Sequence, residues 1–201
     1  MDLYSFIITS FIIILLPGTG VIYTMQSGLT GGRKKSVIAA IGCTLGIVPH
    51  LVISISLLTL CFFLNERIVH VVTFIGAVYL LYLGIGIIIS NIKINLDEKN
   101  EEEKKSKIIK RGIMINVLNP KLTLFFFSFL PQYVQGSEDN YVIKSVVLGL
   151  LFMLFTFIVF CGYGYLAGMV RDYIVKSSKV LKVIQVLFGL LFIGFSIKMI
   201  I

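Results

Sequence analysis

Six stretches of the chain are each long and apolar enough to cross a lipid bilayer, and no other feature restricts its fold as strongly: Leu3 to Met25, Val37 to Leu64, Ile68 to Ile89, Gly112 to Val134, Val142 to Met169 and Val180 to Ile201. A crossing takes about 20 residues to traverse about 30 Å of hydrocarbon. Inside that layer every backbone N–H and C=O must be paired within the segment, so each stretch is expected to be a helix. With 57% hydrophobic and 14% charged residues over 201 positions, little remains for a water-soluble domain. The fold class expected is therefore an all-α integral membrane protein of six transmembrane helices. No Lys or Arg precedes the first stretch and no small-residue cleavage pattern follows it, so that stretch is expected to be retained.

A formal charge of +8 would suggest nucleic acid as the partner of a soluble protein, but here the basic residues collect beside the apolar stretches. Connectors one, three and five hold fourteen Lys and Arg, among them Arg33, Lys34 and Lys35, whereas the opposite side holds Arg67, Lys144 and Lys198. Basic residues mark the cytoplasmic side, which places both termini outside the cytoplasm and makes membrane lipid, not nucleic acid, the standing partner. The charged segment Asn91 to Arg111 is the one sizeable polar connector, with helix-spaced pairs such as Glu103 and Lys107. It divides the chain into two three-helix groups, residues 1–90 and 112–201. An odd number of crossings per group requires related halves to insert in opposite senses, as inverted repeats.

The first helix of each half carries a proline interruption: Leu15, Leu16, Pro17, Gly18, Thr19 in one, Asn116, Val117, Leu118, Asn119, Pro120, Lys121 in the other. At about 1.5 Å per residue both fall deep in the layer, roughly 21 Å from the outer end of the first stretch and roughly 12 Å from the cytoplasmic end of the fourth. Proline removes a donor and strands the carbonyl one turn earlier. Such backbone is tolerated in lipid only where it faces protein or a wet cavity, and a matched pair of breaks points to a transporter's substrate site. Ordinary kinks are the competing reading. Backbone near Gly18 and Thr19 together with Lys121 would hold a carboxylate; carbonyls near Leu15, Leu16 and Asn116 would hold an amine.

Lys121 is the formally charged side chain well inside a stretch, either functional or snorkelling to the surface. Asn116 and Asn119 are its polar neighbours. His50, beside Pro49, is a candidate for proton coupling or for a helix-to-helix hydrogen bond. Pro49 itself is the expected break point of the second stretch. Gly42 with Gly46, and Gly164 with Gly168, have the spacing that lets helix backbones approach. Cys43, Cys61 and Cys161 are scattered buried thiols without metal-ligand spacing, and the stretches offer no internal Asp or Glu. No metal site and no catalytic constellation is visible, and the Gly-rich phosphate-binding loop that would feed on ATP is absent.

Together these residues resemble the lysine exporter (LysE-type) family, in particular its homoserine and threonine exporter branch. The resemblance runs through Pro17 and Gly18; Gly31, Gly32 and Arg33; Gly42 and Gly46; and Gly76, Ala77, Tyr79, Leu80, Leu83 and Gly84. It is strongest at Asn119, Pro120, Lys121, then Leu124, Phe125, Phe126, and Pro131, Gln132, Tyr133. Thr19 stands where the family usually has a second proline. The resemblance implies a secondary exporter of an amino acid or similar small metabolite, in the bacterial inner membrane, needing no cofactor and leaving room for a homodimer. The alternatives are export of a divalent cation such as cadmium, an intramembrane enzyme, or a scaffold.

Overall fold

The computed structural model describes residues 3–15, 18–64, 66–89, 103–134 and 140–169, and isolated helical residues between 182 and 197. All of the regular structure among them is helical: α1 (Leu3–Leu15), α2 (Thr19–Leu45), α3 (Val48–Leu64), α4 (Glu66–Ile89), α5 (Lys105–Val117), α6 (Pro120–Leu124), a π-helical turn (Phe125–Phe129), α7 (Leu130–Val134) and α8 (Tyr141–Met169). Pro17 and Leu16 lie outside the described residues, as do residues 91–102 of the charged connector and most of the last apolar stretch.

By length and apolar composition, Thr19–Leu57 and Tyr141–Ala167 each suffice to cross a membrane, and Lys105–Val117 with Lys121–Val134 forms a further candidate bent by 59°. The first of these is not one rod. Cys43 Sγ lies 3.9 Å from the carbonyl of Gly20, whereas 23 residues of straight helix would part them by about 34 Å. The chain doubles back at Gly32, whose φ of 70° and ψ of −171° are open to glycine and strained for any other residue. The expected first connector is thus one residue, with Arg33, Lys34 and Lys35 already helical. The first stretch, read as interrupted at Pro17 and Gly18, is helical to Leu15 and again from Thr19.

The second stretch also breaks earlier than expected. Gly46 caps α2 and α3 begins at Val48, so Pro49 sits in the first turn of α3, where a missing N–H costs nothing. The fourth stretch begins at Lys105 rather than Gly112, because the basic residues of the connector's end continue the helix. Along α4, the later residues run antiparallel: Lys182 Nζ donates to Ile88 O at 2.7 Å, Gly189 abuts Gly84 and Ile88, and Ser196 Oγ donates to Ala77 O at 2.8 Å.

The burial pattern explains why lipid is the solvent. On α8 beyond its first two turns the outer face carries Leu150, Leu154 and Ile158, each more than half exposed. The inner face carries Ser145, Leu148, Phe152, Thr156 and Phe160, all buried. The exposed face is the more apolar of the two, the reverse of a soluble helix.

Two seams of small residues hold the Gly32 end together. The second arm of α2 lies on α5, where a Cβ at Gly42 would meet the backbone of Ile109 and one at Gly46 the backbone of Ile113. The first arm lies on α8, where a Cβ at Gly28 would meet the carbonyl of Gly164. Close backbone approach of this kind replaces the hydrophobic effect as the source of helix association in lipid. Gly168 lies in the last turn of α8, and its surroundings are outside what is described. Tyr23 donates to Ile108 O at 2.9 Å, and Lys35 bridges to Glu103, which also pairs with Lys107.

Candidate functional site

The break between α5 and α6 follows from three consecutive residues. Proline disfavours helical geometry at the residue before it, and Asn119 accordingly takes φ −82° and ψ 105°. Its side-chain oxygen then accepts from the Lys121 N–H at 3.1 Å, capping the helix that restarts with Pro120 at its first position. Lys121 therefore leaves the second position of α6, close to the break.

From there Lys121 crosses to the other break. Its Nζ donates to Ile13 O at 3.1 Å, and a Cβ at Gly18 would lie 3.2 Å from that same Nζ. Ile13 is four residues before Pro17, so its carbonyl is the one that proline deprives of an intrahelical donor. The second proline does the same to Asn116, four residues before Pro120. There Asn116 O keeps a backbone donor, the Asn119 N–H at 3.0 Å, and His50, 5% exposed, adds a second: Nε2 lies 2.9 Å from Asn116 O, and because a carbonyl can only accept, Nε2 carries the hydrogen. The other ring nitrogen, Nδ1, then accepts from the Thr123 hydroxyl at 3.1 Å. Each of the two carbonyls thus accepts from a side chain of the opposite half of the chain, Ile13 O from Lys121 and Asn116 O from His50.

Asn116 adds a second tie. Its Nδ2 donates to Cys43 O at 2.7 Å, and its Oδ1 lies so close to Gly20 that a Cβ there would sit 2.5 Å away. Asn116 and Asn119 are buried, Lys121 partly so, and the four polar residues Asn116, Asn119, Lys121 and Thr156 line one cavity with Ile13, Gly20, Phe152 and Phe160. That cavity is about 10 Å³, room for about one water. In this conformation it is closed to any larger solute.

The structure thus brings Gly18, Asn116, Asn119, Lys121 and His50 to one place. Thr19 is exposed at the start of α2 and does not line the cavity, while Pro17 lies outside the described residues. Two carbonyls expected to hold an amine are already engaged by protein donors, Asn116 O by His50 and Leu15 O by the Tyr163 hydroxyl at 2.7 Å. Ile13, Thr123, Thr156 and Tyr163 were not singled out by sequence; counting four residues back from Pro17 locates Ile13. Among the described residues no group of three His, Cys, Asp or Glu is assembled.

Comparison with known proteins gives the family. The chain is 28% identical over 205 residues to the leucine efflux protein of Enterobacter sp. (strain 638), covering 99% of this chain and 95% of that one. It is 28% identical over 190 residues to the homoserine/homoserine lactone efflux protein of Salmonella typhimurium, covering 94% and 91%. An uncharacterised membrane protein of Vibrio cholerae is 26% identical over 197 residues, covering 96% and 95%. No solved structure matches significantly. Residues 11–201, including both helix breaks and the residues gathered at them, match the family model described as LysE type translocator. With a match over nearly its whole length and its polar groups converging on a closed cavity, this membrane protein belongs to the LysE type translocator family and is a transporter, not an enzyme.

Proposed function

We propose that the protein is a secondary exporter of an amino acid, and that its substrate site is the place where the two helix breaks meet. The six apolar stretches are read as crossings, grouped as inverted repeats over residues 1–90 and 112–201 and joined by the charged connector 91–111. The concentration of Lys and Arg at the Gly32 end puts that end in the cytoplasm of a bacterial cell and both termini outside. Two relatives named for leucine efflux and for homoserine and homoserine lactone efflux support an amino acid as the solute.

The observation that carries the reading is the bond from Lys121 Nζ to Ile13 O, which joins an intramembrane cation to a stranded carbonyl across both breaks. It has the polarity of the two ends of a zwitterion. A substrate entering between them presents its carboxylate to Lys121 in place of the carbonyl, and its ammonium to Ile13 O in place of the lysine. Both protein groups stay paired throughout, so neither is left bare in a low-dielectric site. Asn116 and Asn119 orient the substrate, and His50 holds the second break. Loading requires the breaks to part, because the closed cavity admits no amino acid; alternating access is then relative movement of the halves about this point.

The test is uptake of labelled leucine and homoserine by inside-out vesicles carrying wild type, Lys121→Arg or Lys121→Met. A hydrogen bond to a charged group is worth about 1.5–3 kcal/mol, so Lys121→Met is expected to weaken apparent affinity by roughly 10- to 150-fold. A correctly inserted Lys121→Met protein with wild-type uptake would refute the assignment.

A further inference from the structure

A second, larger cavity of about 460 Å³ opens at the Leu3 end, lined by Leu3, Phe6, Tyr133, Asn140, Lys144 and Val147 among others. Its size is that of a small-molecule site, and its wall is apolar apart from the Tyr133, Asn140 and Lys144 side chains. It shares two helices with the closed cavity at the breaks. On α1, Phe6 lines the outer cavity and Ile13 and Ile14 the inner one; on α8, Leu148 lines the outer and Phe152 and Thr156 the inner. Phe6 and Ile13 are seven residues apart and Leu148, Phe152 and Thr156 follow at intervals of four, so one face of each helix reaches both spaces.

Between the cavities lies a stack of rings. Phe152 stacks on Phe125 with centroids 4.3 Å apart; Phe125 reaches Phe6 at 6.4 Å, and Phe6 meets Tyr133 edge-on at 5.2 Å. Phe125 begins the π-helical turn, a form that is rare and short and concentrates at functional sites. The turn is supported from α3, where Ser54 Oγ donates to Phe126 O at 2.6 Å. Returning a π turn to regular helix rotates the neighbouring segment by about 100°, enough to swing a ring out of the stack.

We infer that the outer cavity is a second binding site for the exported amino acid, an exit vestibule divided from the breaks by a gate formed of Phe6, Phe125 and Phe152. This rests on the proposed transport function. The apolar wall takes an aliphatic side chain and Lys144 takes the carboxylate, while the Tyr133 hydroxyl is held by Thr9 Oγ1 at 3.0 Å. The Gly32 end is sealed by backbone contact, whereas the Leu3 end is stopped by side chains that can turn. The conformation described is therefore one in which the exit side is wetted up to the rings.

The inference is tested by cysteine accessibility in protein whose Cys43, Cys61 and Cys161 are replaced by Ala. A membrane-impermeant thiosulfonate is applied from outside to Val147→Cys, in the vestibule, and to Thr156→Cys, behind the rings. Val147→Cys is expected to react readily and to be slowed by leucine, the probe; Thr156→Cys is expected to react slowly. Adding Phe125→Ala removes ring contacts of a size that shifts an opening equilibrium by about tenfold, and the rate at Thr156→Cys should rise accordingly. Phe125→Leu, which keeps the bulk, should leave it low, and Phe6→Ala gives a second opening variant should Phe125→Ala fail to insert. Equal rates at Thr156→Cys with and without the rings, reaction only from the cytoplasmic side, or no leucine protection of Val147→Cys because lipid fills the groove, would each overturn it. Labelling of Thr156→Cys requires no transport, so a gate can be demonstrated even if leucine is not exported, and leucine export by wild type with no gate would sink this inference alone.

Discussion

Replacing Gly42 by alanine tests the seam between α2 and α5. The added methyl would stand 2.5 Å from Ile109 O and 2.9 Å from Ile109 Cα. Both are backbone atoms, so no rotamer change makes room and the helices must separate. Overpacking costs about 1–3 kcal/mol, against which the better helix propensity of alanine returns about 1 kcal/mol. Gly162, on α8, has no atom within 4 Å of the same methyl, so Gly162→Ala keeps the propensity gain alone. The two variants are expected to differ by about 1–3 kcal/mol, or roughly 5- to 150-fold in the ratio of folded to unfolded protein. Titration of purified protein from mild detergent into dodecyl sulfate, with the folded fraction read by resistance to a protease pulse, measures that ratio. If Gly42→Ala proves as stable as Gly162→Ala, the helices are not in backbone contact there and the account of the sealed end fails.

Asn119→Ala removes the side-chain cap of α6 and should cost about 1 kcal/mol, while Asn119→Ser, which can still cap, should recover most of it; equal losses in the same titration would contradict the capping role. Gly32→Ala meets no steric obstacle, yet it places a side chain at φ 70°, and should cost about 1–3 kcal/mol from conformation alone; an unchanged midpoint would mean the reversal is made elsewhere.

The two breaks were legible because proline, asparagine and lysine act through local chemistry. Pro120 forbids helix at Asn119, and Asn119 can cap only a helix that starts directly after it. The boundaries were less legible for the same reason in reverse. Arg33 to Lys35 read as a connector by charge, but one left-handed glycine suffices to turn the chain, and basic residues at a membrane surface are good helix formers. Pro49 drew attention as a breaker, although a proline in the first turn of a helix breaks nothing. Partners far apart in sequence were beyond reach: nothing in the order of residues says that Lys121 meets Ile13 or that His50 meets Asn116, separations of 108 and 66 positions. The π turn was hidden too. Phe125 and Phe126 read as part of an aromatic run, and the extra residue in their turn is set by packing against Phe152 and by Ser54 rather than by local propensity.

The crossed donations at the breaks bear on how the molecule can change over time. Residues 3–89 lend His50 to the later helices and borrow Lys121 from them, and for Ile13 O the borrowed lysine is the donor that Pro17 withholds. A chimaera that exchanges the later half for an unrelated one would leave Ile13 O facing oil unless the incoming half brings its own donor at the matching depth. Proline and donor are therefore expected to be gained or lost together, one on each side of the molecule, and the two halves to be inherited as a pair.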